Sequence, residues 1–451
     1  MRAILVLRRS WSADRGKEEI VAEISLVDGW LRIVVLLLGI AGFAYLLIRP
    51  LKRWWVVVVS SVAVASAIAS AAIGYFAGKQ LFAEPLPFWV DVWIAFAIAG
   101  VGLAIGNMFK STWKRRVLAV VAAVLVVCAA GNQINVWYHQ YPELGDLLGI
   151  ASAQEIDGPP PIDSNGQNLP PGPLTTTWTP TGPGIPADGK GRMSEIDLPG
   201  TISGFPARAG NVYYPPAYFA DNPPPLPVLI LLPGQPGTTT DWFVGAKAQN
   251  TLDDFAASHR GIAPITVIAD PLGSELANPL CADSSLGNVA TYLSQDLPRE
   301  IKRQLRADPD PNHWVIGGFS YGGTCALQMA INYPDVYPNF IDVSGEVEQS
   351  LGSPESNAEV FGGDQAKLLT TQPLNQLKSG MKFPHTAGWF MWGSEDSGIK
   401  PGQQQLYQAA KDAGMDVQEW ESVGTSHDWV TPERSLAYAM PWIASRTNLT
   451  E

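Results

Sequence analysis

The sequence predicts a mostly parallel α/β sheet with helices on both faces, preceded by an all-α region of four transmembrane helices. Three observations predict it. Residues 30–138 hold four long apolar stretches. From residue 193 onward, short β-branched runs alternate with helix-forming ones. One of those runs ends abruptly in Gly318-Phe319-Ser320-Tyr321-Gly322 and passes straight into the helix-forming stretch Cys325-Ala326-Leu327-Gln328-Met329-Ala330.

Residues 1–29 form an N-terminal tail with Arg2, Arg8 and Arg9 at its start and Glu18, Glu19, Glu23 and Asp28 nearer the first apolar stretch. It lacks the apolar core and small-residue cleavage site of a signal peptide. A start of translation near Val21 would leave only a short tail ahead of the membrane.

The four apolar stretches, 30–48, 54–76, 88–109 and 117–138, each reach the length of about 20 residues that a bilayer requires. Asp91 is the one acid inside them, near an end. Trp54, Trp55, Trp89, Trp93, Trp137 and Tyr138 mark their boundaries, as an aromatic belt does. Arg49, Lys52 and Arg53 separate the first two stretches, and Lys110, Lys114, Arg115 and Arg116 the last two. The middle loop offers only Lys79, and no Lys or Arg follows Tyr138 before Lys190. Positive loops stay in the cytoplasm. Both ends of the region 30–140 are therefore expected outside, making this a multi-pass membrane protein with an extracytoplasmic C-terminal half. The stretches lack paired intramembrane charges, which favours a bilayer anchor over a transporter.

Residues 141–192 are rich in Pro, Gly, Thr and Ser, with Pro159-Pro160-Pro161 and Pro170-Pro171-Gly172-Pro173 as landmarks. They read as an extended spacer without a core of its own. The domain expected over 193–446 follows, with a C-terminal tail at 447–451. Strands are predicted over 211–214, 228–232, 265–269, 313–319, 340–344, 388–392 and 417–421, and helices over 246–258, 292–305, 324–332 and 403–413.

The order strand, G-x-S-x-G, helix is the nucleophile elbow of the α/β-hydrolase fold. A β-carbon beside the serine would collide with the adjoining strand and helix, and Gly318, Gly322 and Gly323 avoid that. Ser320 is therefore the expected nucleophile. It needs a base and an acid, which in this fold follow it in the order acid, then histidine. His259 precedes the elbow, while His313 and His385 begin strands and point away from the catalytic edge. His427, in the loop Gly424-Thr425-Ser426-His427-Asp428-Trp429 after the last strand, is the expected base. The acid is expected in Gly393-Ser394-Glu395-Asp396: Asp396, three residues past Gly393 where the loop returns its carboxylate to the histidine, is the expected one, with Glu395 as the fallback and Glu346, after the 340–344 strand, as a third possibility. The oxyanion hole needs two backbone N–H donors. Tyr321, next to the nucleophile, supplies one, and Gln235 in Pro233-Gly234-Gln235-Pro236-Gly237 the other, since Pro236 has no N–H. A phosphate-binding reading of these glycines fails because no Lys-Ser/Thr pair follows.

Leu231–Gln235 with Asp241-Trp242, Tyr292-Leu293-Ser294-Gln295-Asp296-Leu297-Pro298, Gly318–Gly323, Gly393–Asp396 and Ser426-His427-Asp428-Trp429 together resemble the esterase family that holds the esterase D-like enzymes and the secreted mycolyltransferases. The resemblance covers about residues 193–446. It implies an α/β-hydrolase that cleaves carboxylic esters or moves an acyl group to a sugar or lipid hydroxyl. Pro233-Gly234 departs from the His-Gly or Asp-Gly pair of many members. The four-helix prefix resembles membrane-anchored esterases of high-GC Gram-positive envelopes.

The leading expectation is a membrane-anchored serine esterase whose partners are the lipid bilayer and an ester of a membrane or cell-wall lipid, such as an acylated glycolipid or an aminoacylated phospholipid. An acyltransferase would use the same triad, and an inactive envelope scaffold would show a broken one. No cofactor is expected, and no Cys/His cluster suggests a metal. The net charge of −12 offers no basic stripe to nucleic acid. Of the three cysteines, Cys128 falls in an apolar stretch. Cys281 and Cys325 either form a bridge, which an extracytoplasmic domain permits, or stay a loop thiol and a small buried hydrophobe.

Overall fold

The computed structural model describes residues 21–78, 86–150, 154–160, 170–351 and 353–451. They form two compact units, one up to residue 150 and the other from residue 154. The expected start near Val21 concerns residues 1–20, which lie outside the described residues.

The first unit holds α1 (Gly29–Leu47), α2 (Trp54–Gly78), α3 (Phe88–Met108) and α4 (Trp113–Tyr138). Each is long and apolar enough to cross a membrane. α4 starts earlier than the expected residue 117 because Thr112 caps it, accepting the Arg115 N–H at 3.4 Å, which draws the basic run into the first turn. Small residues let the helices approach: a β-carbon on Gly42 would lie 2.9 Å from Ala122 O, and one on Gly100 2.6 Å from Val126 Cγ1. Buried Asn107 donates to Leu46 O and Leu103 O at 3.1 and 2.9 Å and accepts from Arg115 Nε at 2.9 Å. This pins the end of α3 to the ends of α1 and α4. Residues 21–28 pack on the segment after α4, with Leu26 N–H donating to Pro142 O at 2.8 Å.

The second unit is built on a sheet of β1 (Arg192–Ile196), β2 (Gly210–Tyr214), β3 (Val228–Leu232), β4 (Ile265–Ile268), β5 (Trp314–Phe319), β6 (Asn339–Val343), β7 (Ala387–Gly393) and β8 (Asp416–Ser422). The strand order is β1-β2-β4-β3-β5-β6-β7-β8. β2 runs antiparallel to both neighbours and all other pairs are parallel. The mostly parallel sheet expected from the sequence is present. The central strands β3 to β7 are buried throughout because helices cover both faces. Along β3, Val228, Ile230 and Leu232 enter one core and Leu229 and Leu231 the other. Each such fully buried side chain contributes on the order of 2 kcal/mol.

Register gathers the carboxyl ends of the strands on one edge. Leu232 pairs with Gly318, Phe319 with Val343, and Gly393 with Ser422. The loops after β3, β5, β6, β7 and β8 therefore open together. The flanking helices are α5 (Ala248–Ser258), α6 (Leu297–Gln304), α7 (Tyr321–Asn332), α8 (Pro354–Glu359), α9 (Gln365–Thr371), α10 (Lys400–Asp412) and α11 (Val430–Arg446). The helix expected over 292–305 opens as a π-turn at Tyr292–Asp296, and Pro298 sits in the first turn of the α-helix that follows. α11 was not expected, because Pro432 and Pro441 interrupt its pattern.

Two stretches expected to lie outside the packed domain enter it. In the spacer, Leu174 is fully buried and its N–H donates to Asn448 O at 3.1 Å; Thr175 N–H reaches Leu449 O at 2.9 Å. Leu449, in the expected tail, is likewise buried. β1 also begins inside the expected spacer, at Arg192. Lone leucines among prolines and threonines carry no period, so only the pairing of these two distant segments reveals their burial.

Candidate active site

Ser320 sits between β5 and α7 with φ 55° and ψ −121°, a conformation non-glycine residues avoid. Three contacts hold it there. Its N–H donates to Val343 O at 2.8 Å, Thr324 N–H donates to its carbonyl at 3.1 Å, and the glycines allow close approach. A β-carbon on Gly318 would strike Gly322, and one on Gly322 would strike Leu232 O and stand 2.6 Å from Pro233 O. The elbow thus requires both glycines, for the reason expected from the sequence.

His427 and Asp396 arrive from β8 and β7. His427 Nδ1 lies 2.9 Å from Asp396 Oδ2, with the Asp396 side chain fully buried and that of His427 19 % exposed. A β-carbon on Gly393 would stand 2.5 Å from Thr425 O and 2.7 Å from Ser426 O, so the two loops pack backbone to backbone. Asp428 shapes the histidine loop, its carboxylate accepting Ser426 N–H and Val430 N–H, both at 2.9 Å. Of the three acids considered, Asp396 is the one that meets the imidazole. Glu395 is exposed, its N–H donating to Thr425 O at 2.9 Å.

Sequence reasoning missed the part played by Phe319. Its ring lies 4.8 Å from that of His427 and 5.0 Å from that of Trp429, which in turn meets Trp242 edge-on. The residue before Ser320 therefore carries the platform for His427. All the residues involved stand in the motifs already singled out, but nothing in their spacing shows the stacking.

The turn expected to supply the oxyanion hole lies beside Ser320. A β-carbon on Gly234 would sit 3.5 Å from Ser320 Cβ and 3.5 Å from Phe319 O. Trp242 Nε1 donates to Leu232 O at 2.9 Å, and Asp241 accepts Thr238 N–H at 2.8 Å, fixing both ends of the turn. Among the described residues, neither the Gln235 N–H nor the Tyr321 N–H is engaged in a hydrogen bond. The buried Tyr321 hydroxyl accepts Cys281 N–H at 3.0 Å, and burial holds that phenol protonated. Cys281 and Cys325 form a disulfide with Cα atoms 5.5 Å apart, tying this loop to α7.

A cavity of about 360 Å³ adjoins Tyr321 and Gln235 and is lined further by Asn278, Glu346, Glu348 and Ser350. The turn after β6 presents Glu346: Asp342 accepts Gly345 N–H at 2.9 Å and Gln403 Nε2 at 3.1 Å, and Glu346 N–H donates to Thr324 Oγ1 at 2.7 Å. Burial pushes the Glu346 carboxyl up to about 7, against a downward pull from His427. The Asn278 amide nitrogen donates to Ser350 O at 3.0 Å and that of Gln235 to Leu276 O at 3.1 Å. Among the described residues, no Lys, Arg or His lines the cavity, and Glu346, Glu348, Gln235, Asn278 and Ser350 give it acceptors.

The sheet order and the strained serine at the end of β5 define an α/β-hydrolase. Residues 207–445 match the family described as "Putative esterase", and the chain belongs to that family. It is a carboxylic-ester hydrolase. The chain is 33% identical over 444 residues to an uncharacterized protein of Corynebacterium glutamicum, a match covering 94% of this chain and 98% of the relative. Among solved structures it is similar to a ferulic acid esterase, at 18% identity and TM-score 0.48 over 57% of this chain and 99% of that one. An S-formylglutathione hydrolase from Agrobacterium tumefaciens gives 18% and 0.48, over 57% and 96%. MPT51 of Mycobacterium tuberculosis gives 15% and 0.42, over 56% and 97%.

Proposed function

We propose that the protein is a membrane-anchored serine esterase that faces the outside of the cytoplasm and cleaves esters of envelope lipids. The observation that carries the reading is the 2.9 Å contact of His427 Nδ1 with buried Asp396, on the same sheet edge as the strained Ser320. Ser320 Oγ attacks the ester carbonyl and passes its proton to His427 Nε2, while Asp396 holds the imidazole and stabilises its charged form. The carbonyl oxygen becomes an oxyanion that accepts from the Gln235 and Tyr321 N–H groups. Collapse breaks the C–O bond, His427 returns the proton to the leaving alkoxide, and an acyl-enzyme remains. Water repeats the sequence and frees the acid. Helices α1–α4 serve as the anchor (the region 30–140), with 141–192 as the connection and 193–446 as the esterase domain. The Cys281–Cys325 bridge supports the external placement, since the cytoplasm keeps thiols reduced.

The cavity favours an acyl group that carries an ammonium. A carboxylate without a lining cation is relieved by a cationic ligand. Of the two lipid classes expected, this chemistry fits the aminoacylated phospholipid better than the acylated glycolipid.

The test is turnover of two p-nitrophenyl esters, one of γ-trimethylammonio-butyrate and one of its neutral all-carbon isostere, by the full chain in detergent. Fluorophosphonate should label Ser320, and Ser320→Ala should lose labelling and both activities by several orders of magnitude. Full activity in Ser320→Ala would sink the esterase reading. The preference for the charged ester should grow as pH rises through about 7, where Glu346 ionises, and be flat with pH in Glu346→Gln. An equal preference in wild type and variant removes the ammonium assignment alone. Transfer to an added sugar in place of hydrolysis would reassign the enzyme as an acyltransferase.

A further inference from the structure

Resting on that esterase reading, we infer that Arg208 is a positioning residue, which through its pair with Asp270 holds the oxyanion turn in register with Ser320. Arg208 lies just ahead of β2 and reaches the catalytic edge. Its guanidinium forms a fork on Asp270, with Nε 3.0 Å from Oδ2 and one terminal nitrogen 2.7 Å from Oδ1. That same terminal nitrogen donates to Gly237 O at 2.9 Å. Gly237 closes the turn that begins at Gly234, so tightly that a β-carbon on Gly237 would strike Gly234 O. A shift at Gly237 is therefore passed to Gly234 and Gln235.

The second support runs through Asp270. Its carboxylate accepts the N–H groups of Leu272 and Gly273, both at 3.1 Å, and so shapes the segment 270–276. That segment returns to the oxyanion turn twice: Glu275 O accepts Gly237 N–H at 3.0 Å, and Leu276 O accepts Gln235 Nε2 at 3.1 Å. Both holds on the turn thus lead to one ion pair, in which the Asp270 side chain is fully buried and that of Arg208 30 % exposed. A lysine at 208 would keep the charge but lacks a planar fork able to span Asp270 and Gly237 together. No serine, histidine or acid of the proposed triad touches this pair in the contacts described above.

Arg208→Lys in the full-length protein in detergent is the test. Fluorophosphonate titration first establishes that one active site per chain survives. kcat and KM for a p-nitrophenyl ester are then measured beside the inhibition constant of a trifluoromethyl ketone, whose hemiketal places an oxyanion in the hole. Outright loss of an oxyanion donor costs about 10²–10³ in kcat; a displaced turn should cost about 10–100-fold, since misplacements near 1 Å have effects up to that size. We expect KM to hold within about twofold and the inhibitor to weaken in step with kcat, because only the transition state and its mimic use the hole. A merely structural pair would lower the melting temperature and leave both constants alone. Wild-type kcat and inhibition in a titrated Arg208→Lys enzyme, or a loss of kcat with inhibition unchanged, overturns the inference. If that variant fails to fold, Asp270→Asn and Arg208→Gln are read in the same way. An active Ser320→Ala would instead remove the esterase reading itself, so the two failures are distinct.

Discussion

Asp396 and Glu395 are neighbours in the chain, yet one is buried against His427 and the other faces solvent. In the proposed triad, the carboxylate of Asp396 would keep the proton of His427 on Nδ1 and leave Nε2 to take the one from Ser320. Asparagine at 396 would present either an amide oxygen or an amide N–H to Nδ1, and the latter selects the wrong tautomer. Asp396→Asn should lower kcat by on the order of 10⁴, the loss that the same change causes in a serine-protease triad. Glu395→Gln should change kcat by less than about threefold, as surface substitutions do. Steady-state kinetics on the two purified variants decides it, and the reverse ranking would move the acid one position upstream. At this scale the residue types and their order in the chain were legible in the sequence. Spacing from Gly393 also favoured Asp396 over Glu395, but which carboxylate turns inward is set by contact of the loop after β7 with the histidine loop.

Helix α7 shows what an element adds to its residues. It carries Ser320 at its N-terminus, and Cys325 one turn in is bridged to Cys281, 44 residues earlier in sequence. The bridge fixes the loop whose Cys281 N–H donates to Tyr321, so the same link steadies the residue proposed for the oxyanion hole. Closing a loop of that length is worth about 4 kcal/mol in the chain-entropy model. In a domain of this size that corresponds to a fall in melting temperature on the order of 10 °C for Cys281→Ala/Cys325→Ala. Calorimetry of the wild-type protein with and without reductant, beside the double variant, checks the expectation. Three free thiols rather than one, Cys128 included, in the unreduced, denatured wild-type protein, or a melting point indifferent to both reductant and mutation, would refute it. The central strands were legible because their apolar runs are near-continuous; β1 (Arg192–Ile196), polar and at the sheet edge, was not among those expected, nor was α11, since Pro432 and Pro441 break its pattern while burial of Leu436, Met440 and Ile443 sustains the helix.

At the scale of the whole chain, the charge asymmetry of the loops predicts which parts meet which side of the membrane. Lys190, exposed ahead of β1, belongs to the esterase half, and Arg53 to the loop between α1 and α2. With both loops rich in Lys and Arg inside, Lys190→Cys should react with a membrane-impermeant maleimide in intact cells. Arg53→Cys should react only after lysis. Cys128→Ser removes the background thiol of α4 in both cases. Labelling of Arg53→Cys in intact cells with Lys190→Cys protected would invert the topology and with it the proposal of an envelope substrate.

By itself, the sequence determined the four apolar spans, the alternation that yields a mostly parallel sheet, and the position of Ser320 on its elbow. These are set by local forces: hydropathy over a bilayer's width, a β-strand's period, and the steric need for Gly318 and Gly322. Tertiary structure alone decided what depends on segments far apart in the chain. It brought Asp396 against His427, laid Phe319 against the imidazole, and joined Leu174 and Thr175 to Asn448 and Leu449. It also joined Arg208 to Asp270 and Gly237, across 62 and 29 residues. A single sequence records each partner of such a contact but not their proximity, because the free energy that brings them together belongs to the packed sheet rather than to either segment.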